Sequence, residues 1–101
     1  MEIIWTPEAR SSFDEIVDFI NRKFTLKEVD HFITETLDVL DSLKNYPELF
    51  PKSILKALKS ARKAVIHPHS SVFYVVNGET ITILLFWDNR RDPKKRWTNF
   101  C

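Results

Sequence analysis

The sequence has one glycine in 101 residues, Gly78. Phosphate-cradling loops need several glycines for close backbone approach, so that whole class of nucleotide site is excluded. Cysteine is equally scarce: Cys101 stands alone, which rules out an internal disulfide and a cysteine cluster for zinc. No apolar run approaches the roughly 20 residues that span a bilayer. The opening Met1-Glu2-Ile3-Ile4-Trp5 has no basic stretch leading into an apolar one, the mark of a secretory signal. These absences predict a cytoplasmic protein with no glycine-loop nucleotide site, no cysteine-held zinc and no membrane-spanning segment.

What is present suffices for a packed core. Hydrophobic residues make up 44% and aromatics 13%, which argues against disorder. The length suits one domain, residues 1–101, because two would each be too small to bury enough surface. The net charge of +1 conceals an asymmetry. Residues 1–48 carry 11 acids and 5 bases, a net of −6; residues 49–101 carry 10 bases and 3 acids, a net of +7. Such a split points to a basic face for an anionic partner, or to two halves that neutralise each other across the fold.

Ile3-Ile4-Trp5 reads as a short strand. Thr6-Pro7-Glu8 then starts a helix: Thr6 can cap, Pro7 suits the first helical position, and Glu8 favours the positive end of the dipole. Ala9, Phe13, Ile16, Val17, Ile20 and Phe24 recur at helical spacing on one face. Thr25-Leu26-Lys27-Glu28 reads as a capping box that opens a second helix of about 30 Å. Its stripe is Val29, Phe32, Ile33, Leu37, Leu40 and Leu43, and Pro47 ends it. With almost no linker between them, the two helices should form an antiparallel hairpin.

The remainder is β-like after a short helix around Ile54, Leu55 and Leu58. Lys63–His67, Ser71–Val76 and Thr80–Trp87 are strands, the last two joined at Asn77-Gly78 through a type I′ turn. The predicted fold is α+β: an N-terminal strand, then an antiparallel helix hairpin packed on one face of a small antiparallel sheet, in the order β-α-α-β-β-β.

Four segments carry a family resemblance. Ile4-Trp5-Thr6-Pro7-Glu8-Ala9 resembles the strand-to-helix opening of RelE/ParE toxins. Asn45-Tyr46-Pro47-Glu48-Leu49 is similar to their exit from the second helix. Arg62-Lys63-Ala64-Val65 with Val72-Phe73-Tyr74-Val75-Val76 resembles their strand pair, and Asp88-Asn89-Arg90-Arg91-Asp92-Pro93 their C-terminal signature. The match runs in order along nearly the whole chain and is closer to the ParE-like branch. It implies the toxin of a type II toxin–antitoxin pair involved in plasmid stabilisation and bacterial growth inhibition, with a cognate antitoxin as partner. ParE-like members inhibit DNA gyrase by binding. RelE-like members are metal-independent endoribonucleases that cut mRNA on the ribosome.

For a nuclease, the resemblance places Arg62 and Arg90 against the phosphate, where cations offset developing charge. Arg62 would otherwise pair with an acid and hold strand to helix. A general acid or base is also required. RelE-type nucleases carry a Tyr or His after the last strand, and Lys94–Phe100 has neither. His67 and His69 titrate in a suitable range but sit beside Pro68 as ordinary loop polars. That gap favours action by binding. Arg91, Lys94, Lys95, Arg96 and Trp97 then read as a target-binding tail, with Phe100 and cations interleaved. Tyr74 would either stack on the target or pack within the sheet, as its apolar neighbours suggest, and Trp87 would pack at a strand end. Lys52, Lys56 and Lys59 share one helix face and extend the basic surface or are simply solvated. Phe24 and Phe32 would contribute to an antitoxin groove on the hairpin. The resemblance implies an acidic or amphipathic partner segment, no metal or organic cofactor, no membrane association and no small-molecule substrate. A third reading is a toxin-fold module that binds partners without toxicity.

Overall fold

A computed structural model describes residues 1–52, 60–67 and 70–88. The elements are β1 (Glu2–Trp5), α1 (Pro7–Lys23), α2 (Leu26–Asn45), β2 (Arg62–His67), β3 (Ser70–Asn77) and β4 (Thr80–Asp88). The expected short helix at Ile54–Leu58 lies outside the described residues, as does everything from Asn89 onward.

Helix α1 starts as the sequence predicts. Thr6 Oγ1 accepts the Ala9 amide at 3.0 Å, and Pro7 occupies the first turn without losing a donor. Phe24 is already extended and caps the helix from outside its last turn. The capping box at α2 does not form. Thr25 makes no side-chain cap bond; its carbonyl accepts the amides of Glu28 at 3.0 Å and Val29 at 3.3 Å. Residues 21–28 are all exposed, so the first amides of α2 are open to solvent without a side-chain cap.

The buried face of α2 is Val29, Phe32, Thr36, Leu40 and Leu43. It is rotated slightly from the predicted stripe: Thr36 is in, its hydroxyl donating to the Phe32 carbonyl at 2.8 Å, and Leu37 is out, 60% exposed. A hydroxyl that bonds back into its own helix can be buried cheaply, so hydropathy alone misplaces the face.

Strand order is β1-β4-β3-β2. The β2-β3-β4 meander is antiparallel as predicted, but β1 pairs with β4 in parallel, so the sheet is mixed. β2 pairs antiparallel with β3 and β3 with β4, so β2 and β4 run the same way, and β1 runs with both. The hairpin register pairs Asn77 with Thr80, which makes Gly78 and Glu79 the turn residues. Gly78 has φ +59° and no other described residue has positive φ. This is the type II′ pattern, with glycine first, in place of the expected I′ turn.

Two bulges interrupt the ladders. Phe73 pairs with Leu85 but Tyr74 with Ile83, leaving Leu84 as the extra residue of β4. The bulge reverses the alternation. Ile81, Ile83 and Phe86 enter the cluster beneath the helices, while Leu85 and Trp87 join Phe73 and Ala61 in a second cluster on the other face. Val65 and His67 flank a second shift on β2.

Beyond the last residue of β1, α1 takes over the edge of β4. Thr6 Oγ1 donates to the carbonyl of Leu84 at 2.7 Å, and Ser12 Oγ accepts the amide of Phe86 at 2.8 Å. Ladder groups left without a strand partner are thus paired by helix hydroxyls. Beneath lies an aromatic cluster of Trp5, Phe13, Phe32 and Phe86, with centroids 5.0 to 5.5 Å apart. No helix among the described residues is long and apolar enough to cross a membrane.

Candidate functional site

Arg62 on β2 and Tyr74 on β3 are directly paired across the ladder, so their side chains share the helix-facing side of the sheet. Both reach the segment that leaves α2. The Tyr74 hydroxyl donates to the Pro47 carbonyl at 2.9 Å, and Arg62 Nη1 donates to the Phe50 carbonyl at 2.8 Å. The backbone completes the strap: the Lys63 amide donates to the Pro51 carbonyl at 3.0 Å, and Lys52 bridges to Arg62. Residues 47–52 have no helical or sheet ladder of their own, so these donors satisfy carbonyls that would otherwise lie against the fold unpaired.

Tyr74 is fully buried. Burial pushes its phenol above the ordinary value of 10.0, an effect opposed by the Arg62 charge and by the Phe50 backbone. Tyr74 therefore does not stack on a target; it packs within the fold. Arg62 Nη1 is engaged by the Phe50 carbonyl. It fastens chain to strand, but through a backbone carbonyl rather than an acid. Among the described residues no hydrogen bond or ion pair joins Arg62 to a carboxylate or imidazole.

The other predicted positions divide cleanly. Phe32 is 2% exposed and its ring stacks on Phe13, so it belongs to the core and not to an antitoxin groove. Phe24 is 55% exposed at the tip of the hairpin. Lys52 is exposed, and Trp87 is buried in the second cluster. His67 closes β2. Lys56, Lys59, His69, Arg90, Arg91, Lys94, Lys95, Arg96, Trp97 and Phe100 lie outside the described residues. No group of three His, Cys, Asp or Glu able to hold a metal occurs among the described residues.

One feature escaped sequence reasoning. Ile3 and Trp5 of β1, with Leu37, Leu40, Asp41 and Lys44 of α2, line an open groove of about 360 Å³. Its signal was Leu37, which made the predicted apolar stripe of α2 wider than the face the sheet can cover.

The family model for the ParE toxin of the type II toxin–antitoxin system parDE matches residues 3–93. Among solved structures, the chain is similar to the chromosomal ParDE system from P. aeruginosa, at 18% identity and TM-score 0.71, covering 87% of this chain and 95% of that one. It is similar to the YoeB/ParE toxin from Agrobacterium tumefaciens, at 15% identity and TM-score 0.61, over 87% of this chain and 98% of that one. YafQ from E. coli shares 12% identity with TM-score 0.60, over 86% and 91%. A search of curated proteins finds no match. At these identities the structural likeness speaks for the fold alone, whereas the family model spans most of the sequence. The chain belongs to the ParE toxin family of type II toxin–antitoxin systems.

Proposed function

We propose that this toxin acts by binding rather than by cutting: it inhibits DNA gyrase stoichiometrically, and a cognate antitoxin neutralises it. The observation that carries the reading is the commitment of Arg62 and Tyr74. These are the described residues expected at the phosphate and the target, and both hold the exit of α2. The absence of Tyr or His from residues 94–101 supports the same reading, since a nuclease needs a proton donor for the leaving oxygen. The target contact then falls to the basic tail, Arg90, Arg91, Lys94, Lys95 and Arg96 with Trp97, where cations and an aromatic ring are interleaved.

The test adds purified chain to gyrase and relaxed plasmid. Loss of supercoiling at near-stoichiometric toxin, with mRNA on translating ribosomes left intact, is expected. Unimpaired supercoiling with mRNA cut at ribosome-occupied codons would replace this reading with the ribosome-dependent nuclease. In that case an Arg62→Ala, Arg90→Ala double variant should lose cleavage. Neither effect, with no growth arrest on expression of soluble chain, would leave the non-toxic binding module.

A further inference from the structure

Two large apolar side chains stand in solvent where α2 ends. Tyr46 is 66% exposed and Leu49 61%. Scattered exposed apolar residues are ordinary on a protein surface, but these two share one turn. The Tyr46 amide donates to the Ser42 carbonyl at 2.8 Å and so continues the last turn of α2. The Leu49 amide donates to the Tyr46 carbonyl at 3.1 Å, which closes a β-turn with Pro47 in its second position, where proline fixes φ.

The sheet then immobilises this turn. Tyr74 holds the Pro47 carbonyl, Arg62 the Phe50 carbonyl and the Lys63 amide the Pro51 carbonyl. Phe50 packs against the core, whereas Tyr46 and Leu49 stay in water. Beside them lies an open hollow of about 400 Å³, lined by Asn45, Tyr46, Pro47, Glu48 and Leu49. A segment held in this way has already lost the backbone freedom that binding would otherwise remove, and tyrosine offers a large amphipathic surface with few rotatable bonds.

We propose that the Tyr46–Leu49 turn is a contact surface for the toxin's protein target, fitting an apolar pocket with carboxylates at its rim. The proposal rests on the reading of action by binding above, and it adds an apolar contact to the basic tail. Charge selects the occupant. Glu48 is exposed within the turn and repels phosphate, which disfavours a nucleic acid or an anionic lipid surface. Exposed Lys44 and Lys52 flank the turn in sequence, and residues 49–101 as a whole carry a net charge of +7. Two copies of this chain meeting turn to turn would bring those lysines together. An acidic protein surface meets neither obstacle: its pocket receives Tyr46 and Leu49, its carboxylates meet the lysines, and one donor meets Glu48.

The test measures the toxin concentration that halves gyrase supercoiling of relaxed plasmid, for the parent and for Tyr46→Glu and Leu49→Glu. Each variant should need roughly tenfold more toxin or beyond, the scale of burying one such side chain. Both should melt with the parent and bind the antitoxin encoded beside the gene as the parent does. Leu26→Glu, 74% exposed at the far end of α2, should inhibit as the parent does. Inhibition by both turn variants at the parent's concentration would overturn the contact surface and leave the binding reading standing. Intact inhibition with lost antitoxin binding would overturn it by assigning the turn to the antitoxin. Retention of the parent on plasmid DNA without gyrase, lost in the two variants, would overturn it in favour of nucleic acid. If the parent itself leaves supercoiling unimpaired, the binding reading fails and the contact surface with it.

Discussion

The hydroxyl of Ser12 and the amide of Phe86, 74 residues apart in sequence, meet at 2.8 Å in the interior. The same hydroxyl donates to the Glu8 carbonyl one turn back at 2.6 Å, so a single small side chain joins α1 to the edge of β4. Ser12→Ala leaves the Phe86 amide buried without an acceptor. We predict a stability loss of about 1–3 kcal/mol. Each kcal/mol should lower the melting midpoint by about 4–8 °C in a domain of this size. A variant that melts with the parent would show that the bond contributes nothing net.

Tyr74 gives stability a dependence on alkaline pH. Burial raises its folded pKa above 10.0, so the unfolded chain releases this proton first. Its contribution is therefore fully present below about pH 10 and is lost progressively as pH rises from there through the folded value. With Tyr46→Phe, Tyr74 is the sole tyrosine, and its ultraviolet titration should show a midpoint above 10. Stability curves of the parent and Tyr74→Phe should converge as pH climbs past 10. A titration midpoint at or below 10 would contradict the burial argument.

Phe24 and Phe32 look alike in the sequence and should behave differently. Phe32→Ala empties a site walled by Phe13 and the sheet and is predicted to cost about 3–5 kcal/mol, a large share of a small domain's stability. Phe24→Ala alters an exposed side chain and should stay within about 0.5 kcal/mol. Urea denaturation of the two variants decides it; equal losses would place Phe24 in a core that the structure does not show.

Gly78→Ala isolates a backbone effect. A Cβ at Gly78 meets no atom within 4 Å, so packing is unaffected, but φ is +59°. The strain is predicted to cost about 1–2 kcal/mol. A midpoint equal to the parent's would mean that the turn relaxes to a different type.

Local chemistry along the chain determined the elements. Thr6-Pro7-Glu8 specified the start of α1, Pro47 limited α2, and alternation with a glycine turn marked β3 and β4, because caps, proline and turn preferences act within a few residues. Motif order determined the family. Residues 62 and 74 were also visible as a strand pair, yet their roles were not legible: only the folded chain brings the carbonyls of Pro47 and Phe50 within reach of them. The same limit applies to Ser12 and Thr36, polar residues whose burial depends on partners supplied by geometry. It applies to Leu37 as well, whose hydropathy promised a core position that the sheet is too narrow to cover. The parallel pairing of β1 with β4 likewise joins residues far apart in sequence, and it leaves β1 at the end of the sheet beside the groove. Propensity and periodicity are properties of neighbours in sequence; burial, pairing partners and open edges are properties of neighbours in space.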